Sequence, residues 1–250
     1  MNLNIKDLQK NWNELGRIDP LWSVLTWRAK KGGKWNLEEF FATGKAEIDS
    51  VMEYAKSLGV CFPRGRALDF GCGVGRVTQP LADYFDEVCG VDIASSMIEL
   101  ANAYNRRRDK CKYYLNEKDD LRQFSDDSFD FVYSNITLQH MEPRYFKNYI
   151  REFLRVLNPN GLLIFQLPSE PARTIEGIAI RFVPQVLLNV YRRGRYSGRP
   201  IIEMHGMKRE DVVEFLEHNG ARLVDVKEDQ SSGQDWISFR YCVVKKKRMA

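Results

Sequence analysis

The sequence lacks the cysteine pattern of a disulfide-stapled or zinc-bound fold. Its five cysteines (Cys61, Cys72, Cys89, Cys111 and Cys242) are odd in number, scattered, and free of any Cys-x-x-Cys pair. Free thiols in a reducing, cytoplasmic setting are the expectation, with no metal site. Long apolar runs are missing too. The longest stretch without Asp, Glu, Lys or Arg is Val156–Ser169, 14 residues broken by Pro159, Gly161 and Pro168, too short for a membrane-spanning helix. The opening residues MNLNIKDLQK hold neither a basic nor an apolar stretch, so no signal peptide is expected. An excess of one charge is also absent. The chain has 38 Lys and Arg against 34 Asp and Glu, a net +4, too mild to imply a nucleic-acid partner. Aromatic residues, by contrast, are plentiful: 14 Phe, 11 Tyr and 5 Trp in 250 residues exclude disorder as the main state and can fill a sizeable core.

The charge is unevenly spread. Residues 171–200 hold six arginines (Arg173, Arg181, Arg192, Arg193, Arg195 and Arg199) against one acid, Glu176, while the rest of the chain sums to −1. Residues 1–60 read as a helical extension. Ile5, Leu8, Trp12 and Leu15 place one apolar stripe on a short helix, Asp19-Pro20 breaks it, and Lys31-Gly32-Gly33-Lys34 marks a loop. Asn36 with Glu39 is a capping pair for a second helix, whose broad apolar face runs from Leu37 to Leu58. Four tryptophans (Trp12, Trp22, Trp27 and Trp35) precede it, either as core or as the roof of a pocket.

From residue 65 short strands alternate with helices. Strands are predicted at Ala67–Phe70, Glu87–Val91, Lys112–Leu115, Phe129–Ser134, Leu162–Leu167, Leu223–Val226 and within Trp236–Val244. Helices are predicted at Val74–Phe85, at Met97–Arg108 capped by Ser96 with Glu99, from Pro143 to near Leu157, and at Lys208–Asn219. Apolar strands separated by helices imply a parallel sheet covered on both faces, a doubly wound α/β domain over residues 61–250.

In such sheets a ligand sits beyond the carboxyl ends of the strands. The turn there is Asp69-Phe70-Gly71-Cys72-Gly73-Val74-Gly75. A dinucleotide loop reads Gly-x-Gly-x-x-Gly, but position 76 is Arg and the third glycine comes one residue early, at Gly75. Asp69, two residues before the first glycine, would repel a pyrophosphate and suit a cationic ammonium group. Asp92 closes the second strand, where an acid can accept from a ribose diol. Amine, ribose and no pyrophosphate together describe S-adenosylmethionine (SAM) better than a nicotinamide dinucleotide.

Over roughly residues 60–170 the sequence resembles the class I SAM-dependent methyltransferases. Ala67-Leu68-Asp69-Phe70-Gly71-Cys72-Gly73-Val74-Gly75-Arg76 is similar to the family's first motif, and Val91-Asp92-Ile93-Ala94-Ser95-Ser96-Met97-Ile98 to its second-strand motif. Ser125–Val132 resembles the segment entering strand four, and Arg155–Leu163 the lead into strand five. The resemblance implies a seven-stranded, mostly parallel sheet of order 3-2-1-4-5-7-6 with the seventh strand antiparallel. It further implies that Asp69 and the backbone of Gly71, Cys72, Gly73 and Gly75 hold the methionine end of SAM, and that Asp92 binds the ribose. Ile93 and Met97 would face adenine, with Asn116 and Glu117 at its edge, although the spacing from there to Leu121 is one residue long. Asn135 would approach the methionine moiety. The product would be S-adenosylhomocysteine.

The implied chemistry is displacement at a sulfonium methyl, for which the protein mainly aligns donor and acceptor; an oxygen or nitrogen acceptor also sheds a proton. His140, after strand four, and His205 are the candidate catalytic residues, whereas His218 reads as a surface group. Residues 168–207 form a long insert after strand five. It reads as a cover for an anionic acceptor, as a membrane-surface contact through 178–199, as an RNA-contacting arm, or as a packed helix with a solvated basic turn. Ser134-Asn135-Ile136-Thr137 differs from the strand-four motif of base-amino methyltransferases, which argues against nucleic acid. The reading is a methyltransferase acting on oxygen or nitrogen of a small molecule, anionic or lipid-linked. The alternatives are an NAD(P)-dependent oxidoreductase and a non-catalytic SAM- or RNA-binding module. The sequence does not indicate an oligomeric state.

Overall fold

The computed structural model describes residues 4–183, 187–188, 200 and 202–246; Arg192, Arg193, Arg195 and Arg199, and much of 178–199, lie outside them. Helix α1 (Ile5–Ile18) starts at Asn4, whose side chain accepts from the Lys6 and Asp7 amides while Asp7 reaches back to the Asn4 amide. Pro20 opens the short α2 (Pro20–Val24). Asn36 caps α3 (Leu37–Ser57) as predicted, accepting from the Glu39 amide at 3.0 Å.

The strands are β1 (Arg66–Phe70), β2 (Glu87–Asp92), β3 (Cys111–Leu115), β4 (Phe129–Ser134), β5 (Leu157–Pro171), β6 (Ala221–Glu228) and β7 (Trp236–Lys245). They lie in the order 3-2-1-4-5-7-6, parallel except for β7, which runs antiparallel to both β5 and β6. Between them come α4 (Thr78–Leu81), α5 (Ser95–Tyr104), α6 (Pro143–Val156), α7 (Ile175–Phe182) and α8 (Arg209–His218). The period-two alternation of the strands divides the core between two faces. Leu68 and Phe70 of β1 meet Phe146, Ile150 and Phe153 of α6. Ala67, with Phe131 of β4, meets Ile48, Val51 and Met52 of α3. Part of the N-terminal extension is therefore a layer of the sheet itself. A third cluster joins Trp35 and Phe40 to Val74, Ala94 and Met97 at the rim, with Trp12 and Trp22 packed against it.

Three local expectations need correction. The helix expected over Val74–Phe85 is regular only at Thr78–Leu81. Pro80 has no amide proton to continue the ladder, and Ala82, Asp83 and Tyr84 donate to carbonyls three residues back, in turn geometry. Helix α5 ends at Tyr104 and is not capped by Ser96 and Glu99. Its start is held by Asn13 of α1, whose Oδ1 accepts from the Ser96 amide and the Ser95 hydroxyl, each at 3.1 Å. The fifth strand, expected at Leu162–Leu167, runs from Leu157 to Pro171, because β7 continues the pairing to Pro171 opposite Trp236.

Helix α3 crosses very near the turn after β1. A Cβ on Gly44 would stand 2.0 Å from the Arg76 carbonyl oxygen. Gly44→Ala should therefore force helix and turn apart at a cost of about 1–3 kcal/mol. A clear fall in the thermal midpoint is expected. An unchanged midpoint would mean that the two segments separate freely.

Candidate functional site

A cavity of about 1210 Å³ opens beyond the carboxyl ends of β1, β2 and β4. Asp69, Gly71, Cys72, Gly73, Asp92, Ile93, Met97, Asn116, Asn135 and His140 all line it. Gly75, Glu117 and His205 do not. The Gly75 amide donates to the Cys72 carbonyl at 2.9 Å and so shapes the turn from behind. Glu117 is exposed and accepts from Gln9. His205 sits 3.4 Å from the Glu203 carboxylate.

The glycine turn is built by close approach. Gly71 has φ of +78°, and a Cβ there would lie 2.2 Å from the Thr137 hydroxyl, so only glycine fits. Asp92 Oδ2 accepts from the Gly73 amide at 2.9 Å, and its Oδ1 from the Ala94 amide at 2.9 Å. One backbone partner on each oxygen leaves further lone pairs for a ligand. Burial raises the Asp92 pKa, against those amides. Asp69 accepts from the Thr78 hydroxyl at 2.5 Å, yet burial pushes it up to about 7. Burial likewise raises the Cys72 thiol well above its ordinary value, so it is inert packing. The Asn116 amide donates to the Lys118 and Asp120 carbonyls at 3.2 and 2.9 Å, holding the longer loop that the spacing to Leu121 required.

Two polar networks lie at the end of β4. In the first, Glu47 of α3 accepts from Tyr133 at 2.7 Å and Asn135 at 2.9 Å, and pairs with Arg76 at 2.7 Å. Burial opposes its ionisation, but Arg76 and these hydrogen bonds hold the carboxyl below its usual value. Asn135 Oδ1 also accepts from Ser231 at 3.1 Å. In the second, Gln166 donates to Ser238 at 2.6 Å and to Gln139 at 3.2 Å, and accepts from the Ile136 amide at 3.1 Å. That last bond secures an isoleucine at φ +57°, a left-handed conformation rare for a β-branched residue. Gln139 lies 3.2 Å from His140 Nε2, and His140 Nδ1 lies 3.1 Å from the Glu203 carbonyl. A carbonyl only accepts, so Nδ1 carries the proton and Nε2 accepts from Gln139. Burial brings the His140 pKa down to about 4. The ring is neutral at pH 7.

The tryptophans divide. Trp12, Trp22 and Trp27 line the cavity together with Arg28 and Lys31, whereas Trp35 is buried core. Gln230–Gly233 and Ile202 complete the far wall. Glu47, Arg28 and the 230–233 loop are absent from the residues picked out in the sequence. A signal for Glu47 existed: it interrupts the buried stripe Phe40, Gly44, Ile48, Val51 of α3.

Residues 68–165 match the methyltransferase domain family. An uncharacterized protein of Methanocaldococcus jannaschii is 31% identical over 196 residues, covering 78% of this chain and 80% of that protein. An uncharacterized methyltransferase of Schizosaccharomyces pombe is 24% identical over 192 residues, covering 68% of this chain and 64% of the relative. The chain spans only 27%, 25% and 27% of the phosphoethanolamine N-methyltransferases matched in Caenorhabditis elegans, Arabidopsis thaliana and Triticum aestivum. The magnesium protoporphyrin IX methyltransferase of Synechocystis, solved with S-adenosylhomocysteine, shares the fold at a TM-score of 0.65 and 20% identity, covering 97% of this chain and 99% of that one. Over residues 68–165 the chain belongs to the methyltransferase domain family, and its sheet shares the fold of the Synechocystis methyltransferase. The Synechocystis enzyme has been solved with S-adenosylhomocysteine and with SAM in that fold.

Asp69 supplies a test by pH. Unfolded, it loses its proton near its ordinary 3.8; folded, it keeps it to about 7. Between those values the folded state binds the extra proton, so this group's contribution to stability falls as pH rises toward 7. Asp69→Asn removes that fall. The variant's stability relative to wild type, measured by denaturant unfolding without cofactor, should increase from pH 5 to about 7. Parallel profiles would contradict the assignment.

Proposed function

We propose that this chain transfers the methyl group of SAM to an oxygen or nitrogen of a small molecule. The observation that carries this reading is one cavity whose lining joins the half-buried Asp92 and the glycine turn to Trp22, Trp27 and Arg28. Its size exceeds the usual ~300–1,000 Å³ of a one-ligand pocket, in keeping with cofactor and acceptor side by side. Asp92 would take the ribose, Asp69 with Gly71–Gly73 the methionine end, and Ile93, Met97 and Asn116 the adenine. SAM brings a methyl group already activated by its positive sulfur. Asn135 would approach the methionine end, His140 would face the acceptor, and Arg28 and Lys31 favour one carrying negative charge. In this scheme His140 Nε2 exchanges its bond from Gln139 for one from the acceptor and receives the proton that methylation releases. His205 is a positioning residue, placed against Glu203. The relatives are named for acceptors as different as phosphoethanolamine and trans-aconitate, and the acceptor of this chain is best sought by incubating it with labelled SAM and a metabolite extract. Transfer of label to no compound would favour the non-catalytic binding module.

Two substitutions test the assignments. Hydrogen bonds to a charged group contribute about 1.5–3 kcal/mol each, so Asp92→Ala should weaken SAM binding at least roughly tenfold in calorimetry; undiminished affinity in a folded variant would remove Asp92 from the cofactor site. His140→Ala should leave SAM affinity nearly intact and lower kcat by about 10²–10⁴. Because His140 titrates at about 4, wild-type kcat should be flat above neutrality and fall only on the acid side. A limb near the ordinary histidine value, or near-normal turnover of the variant, would assign the proton to another group.

A further inference from the structure

A SAM molecule seated as proposed presents an ammonium and a carboxylate at its methionine end. Asp69 and Asp92 only accept when ionised, so neither serves the carboxylate. The amides of the glycine turn are already engaged. Gly71 and Cys72 donate to the Val91 carbonyl at 2.8 and 3.0 Å, Gly73 to Asp92 and Gly75 to the Cys72 carbonyl. A carboxylate in this part of the cavity needs another donor. Arg76, which directly follows the turn, also lines the cavity and is only 5% exposed. Its Nη1 reaches the Thr43 hydroxyl at 3.4 Å and its Nη2 the Glu47 carboxylate at 2.7 Å. Its Nε is buried with no hydrogen-bond partner among the described residues. A buried donor in that state is costly until an acceptor reaches it.

The guanidinium is held in place before any ligand arrives. Gly44 of α3 lies so close that a Cβ there would stand 2.9 Å from Arg76 Cγ, and Glu47, one turn further along the same helix, fixes Nη2. The Arg76 charge also reaches Asp69: burial raises the Asp69 pKa, and Arg76 pulls against that rise. Arg28 and Lys31 are on the cavity wall too, but both are exposed, so water and salt weaken what they offer an anion. We propose, resting on the SAM site assigned above, that Arg76 binds the α-carboxylate of the cofactor's methionine moiety. The bond is charge-assisted on both sides, and a buried setting strengthens it. An anionic acceptor carries the same carboxylate chemistry, but the place of Arg76 next to the turn favours the cofactor.

The test is calorimetric titration of the whole protein with two probes and no acceptor. One is S-adenosylhomocysteine; the other is the same compound without its carboxyl group. The wild type should bind the first at least about tenfold more tightly. Arg76→Gln should remove that preference by weakening S-adenosylhomocysteine alone, with the decarboxylated probe held as before. Arg76→Lys, which keeps the charge without the planar fork, should retain part of the preference. Because Arg76→Gln strips Glu47 of its counter-charge, the paired variant Arg76→Gln, Glu47→Gln carries the test if the single variant does not fold, and it should show the same loss of preference. Folded variants that lose both probes by the same factor overturn the proposal, since Arg76 would then act by shaping the turn. An unchanged affinity for S-adenosylhomocysteine also overturns it and leaves Arg76 to an anionic acceptor. A wild type that binds both probes equally overturns the carboxylate contact but keeps the SAM site; one that binds neither overturns the two together.

Discussion

The carboxylate of Asp92 takes one backbone amide on each oxygen, from Gly73 on one side and Ala94 on the other. This clamp joins the turn after β1 to the loop that opens α5, two segments that line the cavity. The amides of the positive-φ glycines are used within the turn itself: Gly71 donates to the Val91 carbonyl, Gly73 to Asp92 and Gly75 to the Cys72 carbonyl. The clamp is built in a setting hostile to charge. Burial raises the pKa of both Asp92 and Asp69, and the Asp92 charge adds to the rise at Asp69. A cationic ligand in the same cavity reverses that penalty, since positive charge nearby favours the ionised forms. A site that holds a buried acid, Asp69, beside the half-buried Asp92 is suited to SAM, whose ammonium and sulfonium groups carry that charge.

A second constraint acts from outside the sheet. Glu47 reaches from α3 to the end of β4, binding Tyr133, Asn135 and Arg76 at once. An uncompensated carboxylate at that depth would be costly, and Arg76 with the two hydrogen bonds offsets the cost. The result fixes Asn135 on the cavity wall and ties the N-terminal helices to the first motif. Asn13 adds a similar tie, closing the start of α5 from α1. Helices that precede the sheet in sequence thus supply much of the cavity wall, including Trp12 and Trp22.

On the far side the chain from Ser238 through Gln166 and Gln139 to His140 shows how a neutral histidine is held. Gln166 donates both to Ser238 and to Gln139, and from Gln166 onward the bonds run one way, ending with Nδ1 donating its proton's hydrogen bond to the Glu203 carbonyl. The strained Ile136 is anchored by the same Gln166. Gln166 lies in the apolar fifth strand, buried, which is where a polar residue is kept only if all its bonds are met.

The sheet order, the antiparallel last strand and the sites of Asp69, Asp92 and the glycine turn were legible in the sequence. Strand periodicity and turn residues are local signals, and four motifs in register bring their fold with them. Local signals also misled where tertiary partners took over. Ser96 and Glu99 have the spacing of a cap, but Asn13, over eighty positions away in the chain, does the capping. Glu117 sat beside Asn116 in the sequence, yet the turn that buries Asn116 sends Glu117 outward to Gln9. Pattern alone placed Trp12 and Trp35 in one class; packing put the first on the cavity and the second in the core. Spacing along a helix or strand states which face a residue occupies. What that face meets, and therefore which acids are buried, which histidine is neutral and which carboxylate is paired, depends on contacts between distant segments, and those only the folded chain decides.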